Sequence, residues 1–139
     1  MDIVTRKRRS EIMARIRGKD TQPELAVRRL LHGLGYRYRL HVREIPGRPD
    51  LVFTSRRKAV FVHGCFWHSH EGCARAFKPK SRKAFWEAKL AGNRLRDARQ
   101  MESLRSRGWQ GLVVWECELN DARLAKRLTR FLGRSPSKR

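Results

Sequence analysis

Apolar and polar residues follow two periods along this chain, and together they predict an α/β protein. Residues 36–42 alternate between apolar and polar side chains, which is typical of a half-buried strand. Two short, mostly apolar segments follow at 50–53 and 58–63, with a basic turn at 54–57 between them. Because short turns join neighbouring strands, these three segments predict an antiparallel meander.

A helix is predicted before this meander. Thr21 and Glu24 have the spacing of a capping box, Pro23 is tolerated in the first turn, and the helix is expected to end at Gly33 or Gly35. The cap explains Glu24 completely, so the spacing favours a structural role for this residue over a catalytic one.

A longer helix is predicted after the meander, with Ser81 as its N-cap and an end before Gly108. Small and apolar residues at helical spacing are expected to form its buried face: Ala84, Ala88, Ala91, Leu95, Ala98 and Met101. Lys89, Asn93 and Asp97 step by four along another face, and a solvated surface is the simplest interpretation of that stripe.

The last part of the chain is predicted to complete the sheet. Residues 109–115 contain a short apolar run, and a strand reached through a long helix is expected to lie parallel to its neighbour. A last helix, capped by Asn120 or Asp121, is expected to end at Gly133.

The length predicts one domain over residues 1–139, with a basic arm at 1–9, a short helix over 10–17 and a basic tail at 134–139. The chain has 34 basic and 13 acidic side chains and a formal charge of +21. Such an excess favours nucleic acid as the partner, because a compact chain with this charge repels itself. No apolar run argues for a membrane or a signal peptide, and the odd cysteine count of 3 argues against a disulfide framework, so the cytoplasm is expected.

Residues 65–73 concentrate the residue types that carry chemistry. Cys65, His70 and Cys73 could hold a metal ion if a fourth ligand came from elsewhere, and Cys117 is the remaining cysteine. Four protein ligands would make a structural zinc site, which would join this segment to the end of the last strand. The alternative is that the three cysteines serve as small apolar residues.

Other residues could take part in catalysis or bind phosphate, and one of them has a purely structural alternative. Asp50 precedes an apolar strand, where it could be a hard oxygen ligand for magnesium or a cap for the preceding turn. His68 can accept a proton near neutral pH, and a carboxylate behind it would fix its tautomer. Lys89 and Asn93 could hold phosphate oxygens.

Several motifs, taken in this order, resemble the very-short-patch repair (Vsr) endonucleases. The motifs are residues 46–50, 61–68, 85–86 with Asn93 and 96–97, 108–109 and 114–117. The resemblance extends over about residues 9–132. It implies a restriction-endonuclease-like fold, in which helices flank a central mixed β-sheet.

The resemblance also implies an activity. Members of this family nick double-stranded DNA on the 5′ side of the thymine in T·G mismatches, which arise when 5-methylcytosine deaminates. We therefore expect a monomeric cytoplasmic enzyme that is associated with the nucleoid and followed by other repair proteins.

By the same resemblance, Asp50 and the backbone carbonyl of Val62 would bind catalytic Mg²⁺, and His68 would be the general base, oriented by Asp97. His63 would assist at the scissile phosphate, and Glu24 would be a supporting acid. The structural zinc ligands would be Cys65, His70, Cys73 and Cys117. The residues expected to contact DNA are Phe66, Trp67 and Trp86, which would wedge into the duplex, together with Met13, Lys89 and Asn93.

One departure from the wider nuclease superfamily is expected at the third strand. An acidic residue and a lysine, two positions apart, usually stand where this chain has Phe61 and His63. The Vsr endonucleases share this departure, which supports the narrower resemblance.

Two other functions remain open from the residues alone. A zinc-stapled nucleic-acid-binding module without catalysis would explain the charge and the aromatic residues, but not Asp50, His63, His68 and Asp97. A nuclease of the same fold could instead act on another DNA structure, such as a flap or a junction.

The charge excess leads to a first prediction, about salt. We expect the affinity for duplex DNA to fall steeply with salt, because each neutralised phosphate adds about 0.9 to the log–log slope. Fluorescence anisotropy titrations at several salt concentrations measure that slope. An affinity that does not depend on salt would mean that the charge serves another purpose.

Overall fold

A four-stranded mixed sheet lies at the centre of the computed structural model, which describes residues 21–134. Its strands are Arg39–Leu40 (β1), Leu51–Phe53 (β2), Lys58–His63 (β3) and Gln110–Trp115 (β4). They lie in the order β1-β2-β3-β4, with antiparallel pairs except between β3 and β4, which are parallel. The predicted meander and the predicted parallel strand are both confirmed. The short helix over 10–17, with Met13, lies outside the described residues, as do the arm and the tail beyond Arg134.

Within residues 21–134, three α-helices cover the two faces of the sheet. They are Gln22–Gly33 (α1), Lys83–Ser106 (α2) and Leu124–Leu132 (α3). Short 3-10 turns at Thr54–Arg56 and Glu116–Asn120 follow β2 and β4. α1 and α3 pack on one face, and the carboxyl-terminal part of α2 packs on the other.

Strand β3 divides the core into two layers, because its side chains alternate between the faces. Val60 faces α1 and α3, whereas Ala59 and Phe61 face α2. The larger layer consists of Val27, Leu31, Tyr36, Leu51, Phe53, Val60, Val114, Leu124, Leu128 and Leu132. The smaller layer is built on Ala59, Phe61 and Leu104.

Helix α1 begins and ends as its sequence predicts. The Thr21 side chain accepts a hydrogen bond from the Glu24 N–H at 3.3 Å, which satisfies one amide of the first turn. The helix ends at Gly33, and Gly35 adopts a left-handed φ of 95° just beyond it. Val27 and Leu31 on the inner face are completely buried.

The strand predicted over residues 36–42 is much shorter than expected. Only Arg39 and Leu40 pair with β2, and both are exposed. His41 then turns the chain away with a left-handed φ of 50°. β1 is an edge strand with one neighbour. Tyr36, which precedes the paired residues, packs in the core.

The buried face predicted for α2 is wrong. Ala84, Ala88, Ala91, Leu95 and Ala98 are exposed, and only Met101 of that set is half-buried. The polar stripe of Lys89, Asn93 and Asp97 faces inward instead. The reason is that α2 reaches the apolar sheet only near its end, where Leu104 is completely buried.

The two caps predicted for the later helices also shift. α2 begins after Arg82, which has a left-handed φ of 53°, and not after Ser81. Before α3, Asp121 Oδ1 accepts the Arg123 N–H at 2.9 Å, so the predicted Asp121 does bond the entry to the helix. Gly133 ends α3 with φ 88°, as expected.

Tight packing between β4 and α2 gives a prediction about stability. A Cβ on Gly111 would lie 2.6 Å from Met101 Sδ and 2.8 Å from Leu104 Cδ2. We expect Gly111→Ala to lower the free energy of unfolding by about 1–3 kcal/mol, because the added methyl overpacks this layer. Urea denaturation measures the change.

Gly92→Ala is the matched control, since nothing lies within 4 Å of a Cβ at this exposed position of α2. It should raise the free energy of unfolding by roughly 0.5–1 kcal/mol, because alanine loses less backbone entropy in a helix. Equal stability of the two variants would mean that α2 and β4 are not packed as described.

Candidate active site and metal cluster

The candidate site lies at one edge of the sheet, where three strands bring their polar residues together. β3 and β4 are parallel and end there with His63 and Trp115, which pair in register. β2 is antiparallel to β3, so it begins at the same edge, directly after Asp50. Functional groups on open α/β sheets commonly lie at the carboxyl ends of the strands.

Asp50 is fixed to the neighbouring strand by its carboxylate. The Val62 N–H donates to Asp50 Oδ2 at 2.6 Å, and the Asp50 N–H donates to the Val60 carbonyl at 3.1 Å. The Asp50 carboxyl also shares a hydrogen bond with the carboxyl of Glu24. Burial and this bond to Glu24 raise the pKa of Asp50 well above its usual range, while the Val62 N–H acts in the opposite direction. The site therefore contains a pair of acids, in which Glu24 is buried and Asp50 is half-buried.

Glu24 takes part in the helix cap and also in the acid pair, although its spacing favoured a structural role alone. Its N–H binds the Thr21 cap, while its carboxyl group lies against Asp50. Glu24 is only 6% exposed, which is unusual for an acid, and Arg28 Nη2 donates to its Oε2 at 3.0 Å.

Two histidines and Asp97 form the second part of the site. The rings of His63 and His68 are stacked, with centroids 3.7 Å apart and an interplanar angle of 7°. His68 Nδ1 lies 2.6 Å from Asp97 Oδ2, so Nδ1 carries a proton for this carboxylate and Nε2 is the atom left for chemistry. Sequence spacing alone could not establish this contact between the loop and α2.

His63 is a neutral base at neutral pH. Burial, followed by the neighbouring His68, lowers the pKa of His63 to about 4, and Asp97 partly opposes the shift. Its Nδ1 is buried and has no hydrogen-bond partner among the described residues. His63 therefore adds an uncharged ring beside His68 and does not compete with it for the Asp97 carboxylate.

A Cys/His cluster lies beside the histidine pair. Ligand atoms of Cys65, His70, Cys73 and Cys117 all lie within 4.8 Å of one another, so these residues could hold a metal ion. Cys117 Sγ is 3.4 Å from His70 Nδ1. The cluster joins the loop after β3 to the turn after β4, as the sequence predicts for a four-ligand site.

The aromatic residues singled out in the sequence come together on the outside of the loop. The Phe66 ring centroid is 5.1 Å from that of Trp67 and 5.4 Å from that of Trp86. A groove of about 740 Å³ opens beside Phe66 and Trp86, and the basic residues on its walls include Lys78 and Arg94. Such a surface can accept planar, negatively charged ligands.

The inward stripe of α2 contributes more than Asp97 to this arrangement. Asn93 Nδ2 donates to the Trp67 carbonyl at 3.0 Å and so fixes the loop that carries the aromatic residues. Lys89 is half-buried on the same stripe. The stripe interpreted as a solvated surface therefore supports the site.

Comparisons with known proteins identify the family. Residues 1–75 match the family described as "DNA mismatch endonuclease Vsr". The chain belongs to the Vsr family.

Full-length relatives agree with this assignment. "Type II nicking enzyme V.XorIIP" from Xanthomonas oryzae pv. oryzae is 52% identical over 120 residues, which cover 86% of this chain and 88% of the relative. "Type II nicking enzyme V.NmeAIP" from Neisseria meningitidis is 41% identical over 132 residues, 94% of each chain. "DNA mismatch endonuclease Vsr" from Escherichia coli K12 is 37% identical over 137 residues, which cover 94% of this chain and 87% of the relative.

Some residues of this Vsr-family site were missed by sequence reasoning. Arg28 had a signal, since it stands four residues after Glu24 on one helix. Trp115 stacks on His70, with centroids 4.0 Å apart, and contacts His63 edge-on at 5.2 Å. Phe77 stacks on Phe66 at 4.9 Å and is 61% exposed. The contacts of Trp115 and Phe77 depend on how the loop after β3 folds back, which no local sequence pattern indicates.

In the part of the chain that the structure describes, no helix has the length and apolar character needed to cross a membrane.

Proposed function

We propose that this chain nicks one strand of duplex DNA on the 5′ side of the thymine in a T·G mismatch, by Mg²⁺-dependent hydrolysis with a water activated by His68. The observation that carries the proposal is the 2.6 Å contact between His68 Nδ1 and Asp97 Oδ2, at the sheet edge where the acids Asp50 and Glu24 also lie. A protein that only binds DNA has no need of such a group.

His68 would act as the general base. Its Nε2 would take a proton from a water molecule, the resulting hydroxide would attack phosphorus, and the ester oxygen would leave and take a proton from solvent. Asp97 would hold the ring and stabilise the imidazolium that forms. The uncharged His63, stacked on His68, would line the position of the scissile phosphate.

The donors near Asp50 suit magnesium, a hard cation that prefers oxygen ligands and keeps most of its waters. N–H and C=O of one strand residue point to the same edge, so the Val62 carbonyl is expected on the side of its N–H, which binds Asp50. When bound there, Mg²⁺ would neutralise charge that develops on the phosphate.

The Cys/His cluster suits structural zinc. Sulfur and nitrogen ligands of one tetrahedral zinc stand about 3.5–3.8 Å apart, from bond lengths of about 2.0–2.3 Å. The 3.4 Å between Cys117 Sγ and His70 Nδ1 is close to this spacing. With four protein ligands, the ion would leave no open position for substrate and would hold the loop after β3 in place.

Recognition of the mismatch is assigned to the aromatic cluster. Phe66, Trp67 and Trp86 are partly exposed and pack against one another. Phe66 and Trp86 line a groove whose charged residues are Lys78, Lys83, Arg94, Glu71 and Glu87. Their rings would enter the duplex and replace stacking that is lost when the weak pair opens, which costs less at a mismatch than at a matched pair. Lys89 and Asn93 would lie near the DNA backbone.

The mixed sheet with flanking helices agrees with the restriction-endonuclease-like fold implied by the resemblance.

A nicking assay tests the proposal. We expect the wild type to nick a T·G duplex in Mg²⁺ far faster than a C·G duplex, a flap or a junction. Asp50→Ala and His68→Ala should each lose at least ~100-fold in rate, because they remove a metal ligand or the general base, while duplex affinity is retained.

His32→Ala is the control for the histidine variant, since His32 is exposed on α1. It should nick at the wild-type rate. Tight duplex binding without nicking by the wild type would favour a binding module, and equal rates on flaps or junctions would favour a structure-specific nuclease.

Metal analysis tests the zinc assignment. We expect one zinc per chain that is retained in magnesium buffer. Cys117→Ser should lose the ion and melt at a lower temperature, because a structural metal contributes directly to folding free energy. Cys117→His replaces the sulfur ligand with a nitrogen ligand and should retain zinc. A protein without zinc, or a Cys117→Ser variant with unchanged melting, would contradict a four-ligand site.

A further inference from the structure

The side chain of Arg28 is more buried than the packing of α1 requires of a charged residue. It stands one helical turn after Glu24, and its side chain is only 13% exposed. Burying a guanidinium is costly unless its donors are matched by acceptors. The structure supplies acceptors for its Nη2, on the side that faces Glu24.

A single nitrogen of Arg28 binds two partners. Nη2 lies 3.0 Å from Glu24 Oε2 and 3.2 Å from His41 Nε2. This nitrogen has two N–H groups, so each partner can take one of them. Because an arginine side chain only donates, the His41 Nε2 must accept, and the proton of that ring must be on Nδ1.

His41 reaches Arg28 because the chain turns sharply at the end of β1. His41 has a left-handed φ of 50°, which is uncommon for a residue other than glycine. Its Nε2 is also 3.8 Å from Glu24 Oε2. His41, which follows the edge strand β1, therefore lies against Arg28 and Glu24 of α1.

We propose that Arg28, supported by His41, is a positioning residue that fixes the Glu24 carboxylate against Asp50 during nicking. The inference rests on the function proposed above, and it assigns to Arg28 no direct contact with DNA or with the scissile phosphate. Arg28 is suited to this task because its planar group can bind two acceptors at once, whereas a lysine would offer a single flexible charge.

A double-mutant cycle on nicking of a T·G duplex tests the proposal. Arg28→Met should lower the single-turnover rate by about 10–100-fold, as removal of an outer partner of a site commonly does. In the Glu24→Gln background the same substitution should change the rate little further, because Arg28 acts through Glu24. Arg28→Lys should recover part of the loss, and His41→Gln, which keeps an acceptor, should be milder than His41→Leu.

Arg29→Met is the matched control, because it removes the same charge from the exposed neighbouring position. It should weaken duplex binding as much as Arg28→Met does, but leave the single-turnover rate unchanged. Equal rates for the two variants would overturn the proposal, as would an Arg28→Met effect of the same size with and without Glu24.

A measurement without catalysis separates this inference from the proposed function. Electron paramagnetic resonance can follow Mn²⁺ binding to the protein on a duplex that carries a non-cleavable linkage. Arg28→Met should bind Mn²⁺ about 10–100-fold more weakly than Arg29→Met. Equal Mn²⁺ affinities would overturn the positioning role, whereas a wild type that binds Mn²⁺ and never nicks T·G duplexes would overturn the proposed function alone.

Discussion

The pairing of β3 with a neighbour on each side is the constraint on which the site depends. Because β4 is parallel to β3 and β2 is antiparallel, the ends of β3 and β4 and the start of β2 share one edge. The bond from the Val62 N–H to Asp50 Oδ2 continues this pairing beyond the start of β2 and replaces a backbone acceptor with a carboxylate. Asp50 is thus held by sheet geometry and not by a mobile loop.

The loop after β3 is held from three sides, which explains why it can carry both the histidines and the aromatic residues. α2 holds it through Asp97 and Asn93, and the Cys/His cluster joins it to the turn after β4. Trp115 lies between the two parts, stacked on His70 and edge-on to His63. The Trp115 indole therefore connects the Cys/His cluster to the stacked histidines His63 and His68.

Helix α2 uses most of its inward face for polar contacts at the site and only its last turns for core packing. An inward-facing polar stripe loses contact with water and is tolerated only where partners replace that water. Asp97 and Asn93 find those partners in His68 and in the Trp67 carbonyl. Apolar packing of this helix is left to its last turns, around Met101 and Leu104.

Elements with strong local signals could be predicted from the sequence alone. The bounds of β3 agree residue by residue with the apolar run, and the start of α1 agrees with its capping signal, because alternation and caps are properties of neighbouring residues. The motifs were also sufficient for the family, which the comparisons confirm. Four potential metal ligands could be chosen from the sequence because the chain has only 3 cysteines and two of them lie close to His70.

Three features depend on tertiary contacts: the face of α2 that points inward, the residue at which β1 stops pairing, and the surroundings of Glu24. Spacing along a helix predicts a face, but burial depends on what lies opposite, and here that is the histidine loop and not the apolar sheet. The contact between Arg28 and His41 joins residues from two elements. This contact depends on the left-handed backbone conformation of His41. That conformation is uncommon for a residue other than glycine, so the sequence does not predict it.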